Sequence, residues 1–471
     1  MAARRYLAAV PRLFLVFLLL VAVLNLSRVL REPRPDADRP MDFRTCYVGQ
    51  AVLRAGQNPY DDATLKRGWQ RIVQQEALSS NTQPGLPNLP FLYPPWAAAL
   101  FGLAVGRLPY GVAWPLWYAL AALSLVLICR MWPRALASEK AAAVPWWQFL
   151  LAAVALKGTV PALLTGQPTF VALALGVGAV LLVTWAERGD VMHSQTASAF
   201  NITAESTAES EAQAPVAAQV TARPQPRWVA LLAGLLLGLA AFKVTLLLPF
   251  AAWFMWKKQW LPLAVAAATV ALLSAVAWHW AAFPAELAPT YQHLLAQVRA
   301  QSFDPADPDY PLTQGMTLRL ELGNVLEWLR PGSSPWHALL HGALWLVALG
   351  RLAWRRRGAR LADGYVFLVL GTLTLLTTYH LYYDAILLLP LLAFARRWPR
   401  QQQAWLLLLL LPFFLPLNGV ALALGNPVAL HFLYFLPPLS LLGVLTLLLA
   451  RLVSNEPNER HAARSEASLP R

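Results

Sequence analysis

The chain has 471 residues, 58% hydrophobic and only 13% charged, about half the charged share of a soluble domain. Its mean hydropathy is +0.47, and several apolar runs approach the ~20 residues that cross a bilayer. A soluble globular protein is therefore excluded, and the net charge of +14 reads as Lys and Arg in cytoplasmic loops with no nucleic-acid partner.

The expected architecture is an all-α polytopic integral membrane protein, a single transmembrane domain over 1–471. Candidate spans are 11–29, 91–107, 112–131, 146–163, 168–186, 228–256, 261–281, 336–353, 363–379, 382–397, 403–422 and 430–452, about 12 in all. Arg4 and Arg5 precede the first, Arg12 lies at its start, and no small-residue cleavage site follows it. It reads as an uncleaved span with its N-terminus inside. The run 228–256 is long enough to be bent or tilted.

Alternation then puts 30–90, 187–227 and 282–335 outside and the tail 453–471 in the cytoplasm. Lys257-Lys258, the Arg351 to Arg360 cluster, and Arg396-Arg397 with Arg400 fall inside, as the positive-inside rule asks. Arg130, Arg134 and Lys140 fall outside and break the rule, so the topology of 91–168 stays open. The Ala-, Ser-, Thr- and Glu-rich stretch 187–227 is expected to be a disordered polar loop.

In the first loop, Phe43, Tyr47, Val48, Val52 and Ala55 recur at three- and four-residue steps. They predict a short juxtamembrane helix over 43–55, ended by Gly56. Asp42 is either its N-cap or a general base held at the membrane surface. Asn58-Pro59-Tyr60-Asp61 turns the chain, and Asp61 and Asp62 are placed to cap a second helix over 62–77. Adjacent residues on a helix point apart, so these two make no metal site; no metal or cofactor is expected. Cys46 is expected to be reachable from the outer face.

Tyr93-Pro94-Pro95 opens the next apolar run as a rigid corner. Gly166-Gln167 separates two apolar segments, either as a tight connection or as a cavity lining. Lys243 lies deep in its run. A charge there costs roughly 2.5–3.5 kcal/mol even on the lenient insertion scale, so it is a functional candidate. It binds either an anion such as a lipid phosphate or an internal carboxylate. His380 and Asp384, at i and i+4, share a helical face. Gln314, Thr317 and Arg319 stand together before the eighth span, and Arg319 suits bidentate binding of phosphate or carboxylate.

Taken in order, these landmarks resemble glycosyltransferase family 87, integral-membrane enzymes of the GT-C fold. The residues that carry the resemblance are Asp42, Phe43, Tyr47, Gly56, Pro59 and Tyr60; Tyr93 to Pro95; Gly166 and Gln167; Gly234, Gly238, Lys243 and Pro249; and Tyr379, His380 and Tyr383. They cover roughly residues 10–450. Thr313-Gln314-Gly315-Met316-Thr317 departs from the Asn-Gln-Ser-like motif expected there, and the loop 187–227 is unusually long.

The resemblance implies transfer of a hexose, typically mannose, from a polyprenyl-phosphate sugar to a lipid-linked or cell-envelope glycan, with inversion. The active site would face the periplasm or exterior of a cell (inner) membrane, with both termini cytoplasmic. It implies Asp42 as general base and His380 as a second catalytic residue. Lys243 and Arg319 would sit on the donor phosphate, with Gln314, Thr317, Tyr93, Gln167, Asp384 and Tyr60 as further substrate-binding residues. The partners would be that donor, the acceptor and membrane lipids. The rival is a secondary transporter with Lys243 as substrate or proton site, although the paired discontinuous helices of such proteins are not evident.

Overall fold

The computed structural model describes residues 2–31, 41–78, 90–136, 144–205, 226–301, 319–330, 334–358, 361–396, 398–415 and 427–454. Among them the secondary structure is helical, apart from an isolated bridge between Arg319 and Leu381. Gln314 and Thr317 lie outside the described residues.

The first helix, α1 (Ala2–Arg31), buries Leu18, Val21 and Ala22 while Leu13, Val16, Leu20 and Leu24 stay exposed. An apolar exterior of this kind is how a helix meets lipid. At the end α1 reaches lie α2 (Met41–Arg54) and α3 (Asp62–Gln75). Gly56, at φ +72°, ends α2 as expected. This is the site end of the molecule.

Next comes α4 (Pro95–Ala104), which does not cross. Just past its end, the Leu108 carbonyl accepts from Tyr47 Oη at 2.7 Å and the Gly106 carbonyl from Arg54 at 2.6 Å. Before its start, the Tyr93 carbonyl accepts from Tyr60 Oη at 3.1 Å. Both ends thus stay with the first loop. The expected span 91–107 is corrected: ten helical residues reach ~15 Å, half the hydrocarbon thickness.

The chain then crosses in α5 (Tyr110–Leu136) and returns through α6 (Trp146–Ala155) and α7 (Thr159–Thr165), which are bent 77° to one another. It descends again in α8 (Thr169–Glu205). Because α8 continues to Glu205, the polar stretch 187–227 begins as helix; residues 206–225 lie outside the described set.

The run 228–256 is a second correction. It is two helices, α9 (Arg227–Ala240) and α10 (Val244–Trp256), folded into a hairpin with Lys243 at its apex. Three contacts show that α10 runs alongside α8 in the same direction. Lys243 meets Thr169 at the site end, Phe250 packs on Gly176 midway, and Lys257 meets Glu187 at 3.0 Å at the opposite end. The next helix, α11 (Trp260–Trp280), runs parallel to α9. Gly234 seats on Pro262 and Gly238 on Ala266 and Thr269, where an added Cβ would come within 2.6 Å of the neighbouring helix. Small residues four apart allow this close approach.

The remaining elements are α12 (Pro284–Gln301), α13 (Leu322–Leu329), α14 (Ser334–Gly358), α15 (Asp363–Thr377), a 3-10 turn (Tyr382–Leu388) leading into α16 (Leu389–Ala395), α17 (Arg400–Phe414) and α18 (Pro427–Ser454). Among the described residues four helices are individually long and apolar enough to cross a membrane, or five with the bent α6–α7 pair.

The two corrections remove the charge misfit. With α4 kept at the site end, α5 carries Arg130 and Arg134 to the opposite end, where the Arg134 carbonyl accepts from Arg188 at 3.0 Å. With 228–256 a hairpin, Glu187, Lys257 and Asp363 meet at that same end, both carboxylates at 3.0 Å from the ammonium. The start of the 187–227 stretch therefore lies with the basic loops rather than with the first loop.

Candidate active site

The site is assembled where the α7–α8 connection, the α9–α10 apex and the turn after α15 meet the start of α2. The connection turns because Gly166 adopts φ +72°. Gln167 N–H then donates to the Ala162 carbonyl and Gly166 N–H to Leu163, a left-handed helix stop that favours glycine. Trp117 Nε1 holds the Gly166 carbonyl at 2.9 Å. This turn brings two side chains, Thr165 and Gln167, up to Asp42, each with a donor that favours its ionised form.

Asp42 is thus not a helix cap. It lies in the first turn of α2 and keeps part of its surface open. Enclosure by protein raises its carboxyl above the usual carboxylate range; the neighbouring Thr165 and Gln167 donors and the Lys243 charge pull the other way without overcoming it. Its place in the first turn of a helix would by itself lower the value. Burial outweighs that.

At the hairpin apex, Lys243 Nζ lies 2.7 Å from Asp384 Oδ1, hydrogen-bonds Thr169 Oγ1 and stands 4.4 Å from the Tyr383 ring centre. The internal carboxylate, the second reading of Lys243, is therefore present and is Asp384. An ammonium has three N–H donors, so one remains for another ligand. Asp384 is also 3.0 Å from His380 Nδ1 through its other oxygen, and Leu381 N–H donates to it at 3.4 Å. The i, i+4 pairing holds, across an extended residue and a 3-10 turn rather than along an α-helix. A carboxylate only accepts, so Nδ1 carries the proton and Nε2 of a neutral His380 offers a lone pair. That nitrogen is buried with no protein partner, and such atoms call for an explanation.

Tyr93 neighbours Cys46 and lies close enough to Asp42 and Asp384 to feel both charges. Tyr60 holds the Tyr93 carbonyl and packs on Phe91 and Tyr291, so it supports the wall rather than lining the site. Cys46 is fully buried, which corrects its expected accessibility. Arg319 stacks 4.9 Å from the Tyr379 ring centre and lies 3.5 Å from Glu321, while Leu320 N–H donates to the His380 carbonyl. It braces the His380 turn from outside.

Three contributors escaped the sequence argument. Thr165 and Thr169 flank Gly166-Gln167 but carry no motif of their own. Lys157 sits in the break between α6 and α7, 5.6 Å from the Tyr382 ring centre. A charged residue inside the apolar run 146–163 was the available signal, the same one that marks Lys243.

A family model for glycosyltransferase family 87 matches residues 91–198 and 213–379, more than half of the chain. The chain belongs to glycosyltransferase family 87. Membership decides for a membrane glycosyltransferase over the transporter reading. The matched segments contain Tyr93, Lys157, Gln167, Lys243 and Arg319; Asp42, His380 and Asp384 fall outside them. No curated protein and no solved structure matches the chain.

Proposed function

We propose that this family 87 member is a GT-C-type enzyme that moves a hexose, of mannose type, from a polyprenyl-phosphate sugar to a lipid-linked or envelope glycan. The observation that carries this is a partly open carboxylate, Asp42, kept basic by burial beside the Lys243–Asp384–His380 cluster. Asp42 takes the proton of the acceptor hydroxyl as its oxygen bonds to the anomeric carbon. The bond from that carbon to the phosphate oxygen breaks on the opposite face, its electron pair leaves with the polyprenyl phosphate, and the configuration inverts. A phosphate leaving group needs cations rather than a proton donor, and the third N–H of Lys243 faces this task. His380, fixed by Asp384, offers Nε2 to a sugar hydroxyl. Arg319 holds the turn that carries His380.

The site end faces the periplasm or exterior in this reading. Support comes from the basic residues at the opposite end, Arg130, Arg134, Arg188, Lys257, Arg351, Arg356 and Arg396 among them, since short cytoplasmic loops collect Lys and Arg.

The test is transfer in proteoliposomes from radiolabelled polyprenyl-phosphate mannose and glucose, with nucleotide sugars as alternative donors. Label should move from a polyprenyl-phosphate donor in the wild type and fail to move in Asp42→Asn. Transfer from a nucleotide sugar alone would overturn the donor class, and an active Asp42→Asn would remove the base.

A further inference from the structure

Lys243 is already balanced by Asp384, so a phosphate placed on it alone would crowd that carboxylate. A second cation, Lys157, lies against Tyr382, the neighbour in sequence of the Tyr383 that faces Lys243. We propose that Lys157 binds the phosphate of the polyprenyl donor and that the prenyl chain lies in an apolar groove between α1, α6, α16 and α17; the donor class rests on the reading above.

Four observations converge. Lys157 is partly accessible, and among the described residues no carboxylate contacts it; its ammonium faces the Tyr382 ring. Tyr382 adjoins Tyr383, whose ring faces Lys243, so the two lysines flank one Tyr-Tyr pair. The break that holds Lys157 is braced rather than loose. Asn25 Nδ2 donates to the Val154 and Ala155 carbonyls at 3.2 and 3.0 Å, and Lys157 N–H donates to the Phe413 carbonyl at 3.0 Å. An added Cβ at Gly158 would come within 2.6 Å of the Tyr383 backbone. Finally, the same helices line a cavity of ≈ 110 Å³, mostly apolar through Leu15, Leu18, Phe149, Leu392 and Leu407 but with Gln148, Arg396 and Gln403 also in its wall.

Along α1, α6 and α17 that cavity lies six or more residues from the Lys157 break, roughly 10 Å at the helical rise. A cation at one end of a mostly apolar groove matches a single-chain lipid phosphate, head at Lys157 and tail toward the end where Gln148, Arg396 and Gln403 stand. Removing a charged hydrogen-bonding partner from an anion weakens binding by about tenfold or more.

The experiment measures transfer kinetics and photo-cross-linking in proteoliposomes. Lys157→Gln should lower kcat/KM for the long-chain donor about tenfold or more, and Lys157→Arg should recover much of it. Leu407→Trp, which narrows the groove, should penalise a long-chain donor but spare a two-isoprene one. A diazirine-bearing polyprenyl phosphate without sugar should label α1 and α17 of the wild-type protein, and excess phosphatidylglycerol should not displace it. An unchanged kcat/KM in a folded Lys157→Gln enzyme, labelling elsewhere, or full displacement by the two-chain lipid each overturns the groove while leaving the functional reading intact. Labelling at α1 and α17 by a wild type that transfers no sugar from any polyprenyl-phosphate donor supports the groove and overturns the functional reading instead.

Discussion

Asp42 and Asp61 both open a short helix in the first loop, and their carboxylates end in opposite surroundings. Asp61 is the N-cap of α3: its Oδ2 accepts from Thr64 N–H at 2.9 Å and from the Thr64 hydroxyl, and it stays exposed. The Thr64 side-chain hydrogen bond, foremost among several, holds it below the usual carboxylate range. Asp42 begins α2 but faces Thr165 and Gln167, more than a hundred positions along the chain, and burial holds it above that range. A carboxylate that serves only its own helix is satisfied locally. One held basic by distant elements is placed for something else, because the fold gains nothing from enclosing a charge.

The largest effect that tests this contrast is on turnover. Asp42→Asn should cut the transfer rate by about 10²–10⁴-fold, the usual weight of a positioned base, without lowering the melting temperature. The proton linkage gives the sign. A carboxyl raised in the folded state favours folding below its unfolded pKa, and that contribution is lost as pH rises through the folded value. At neutral pH the ionised Asp42 is therefore a cost, and Asn should be neutral or stabilising. The acid limb of kcat/KM in the wild type should likewise lie above the ordinary carboxylate range. An acid limb at or below it would break the contrast with Asp61.

The next effect is on stability, through the cations beside each carboxylate. Near Asp42 the cation is Lys243, whose side chain is 13% exposed and paired with Asp384 at 2%. Lys243→Met strands a buried charge and should cost roughly 3–5 kcal/mol. Adding Asp384→Asn should restore most of the stability in detergent melts but not the activity. Near Asp61 the cation is Arg67, 3.9 Å away, with side chains 65% and 50% exposed. Arg67→Met should cost under about 1 kcal/mol. Equal losses at the two positions would mean that the Lys243 cluster is no more built-in than a surface pair.

How far the sequence reached follows from the kind of signal each feature leaves. Lys243 was legible because a charge inside an apolar run is anomalous by itself; Lys157 leaves the same mark and was passed over. Capping at Asp61 and the stop at Gly56 were legible because both are local. The α9–α10 hairpin was not, since hydropathy measures the length of an apolar run and not its direction. Nor was α4, whose apolar residues pack on α2 and α11 instead of crossing. The surroundings of Asp42 depend on Thr165 and Gln167, which no periodicity around residue 42 encodes. Its alternatives therefore stayed open until the tertiary contacts were known.

The smallest effect is the sharpest control. Asp61→Ala removes an N-cap and should cost about 1 kcal/mol, whereas Asp61→Asn, an equally good cap, should cost little. The pH sense is the reverse of that at Asp42. A carboxyl lowered in the folded state stabilises above its unfolded pKa and loses that contribution as pH falls through the folded value. The difference between wild type and Asp61→Ala should therefore shrink on acidification, while the difference between wild type and Asp42→Asn closes from the other direction. Transfer by Asp61→Ala should stay near the wild-type rate once the protein is folded, because α3 packs its Leu65, Trp69 and Ile72 face inward and its first turn contributes nothing to the Asp42 carboxylate. Loss of transfer in a folded Asp61→Ala, recovered by Asp61→Asn, would show that the start of α3 sets the position of α2. Loss in both variants would put a second carboxylate into the chemistry.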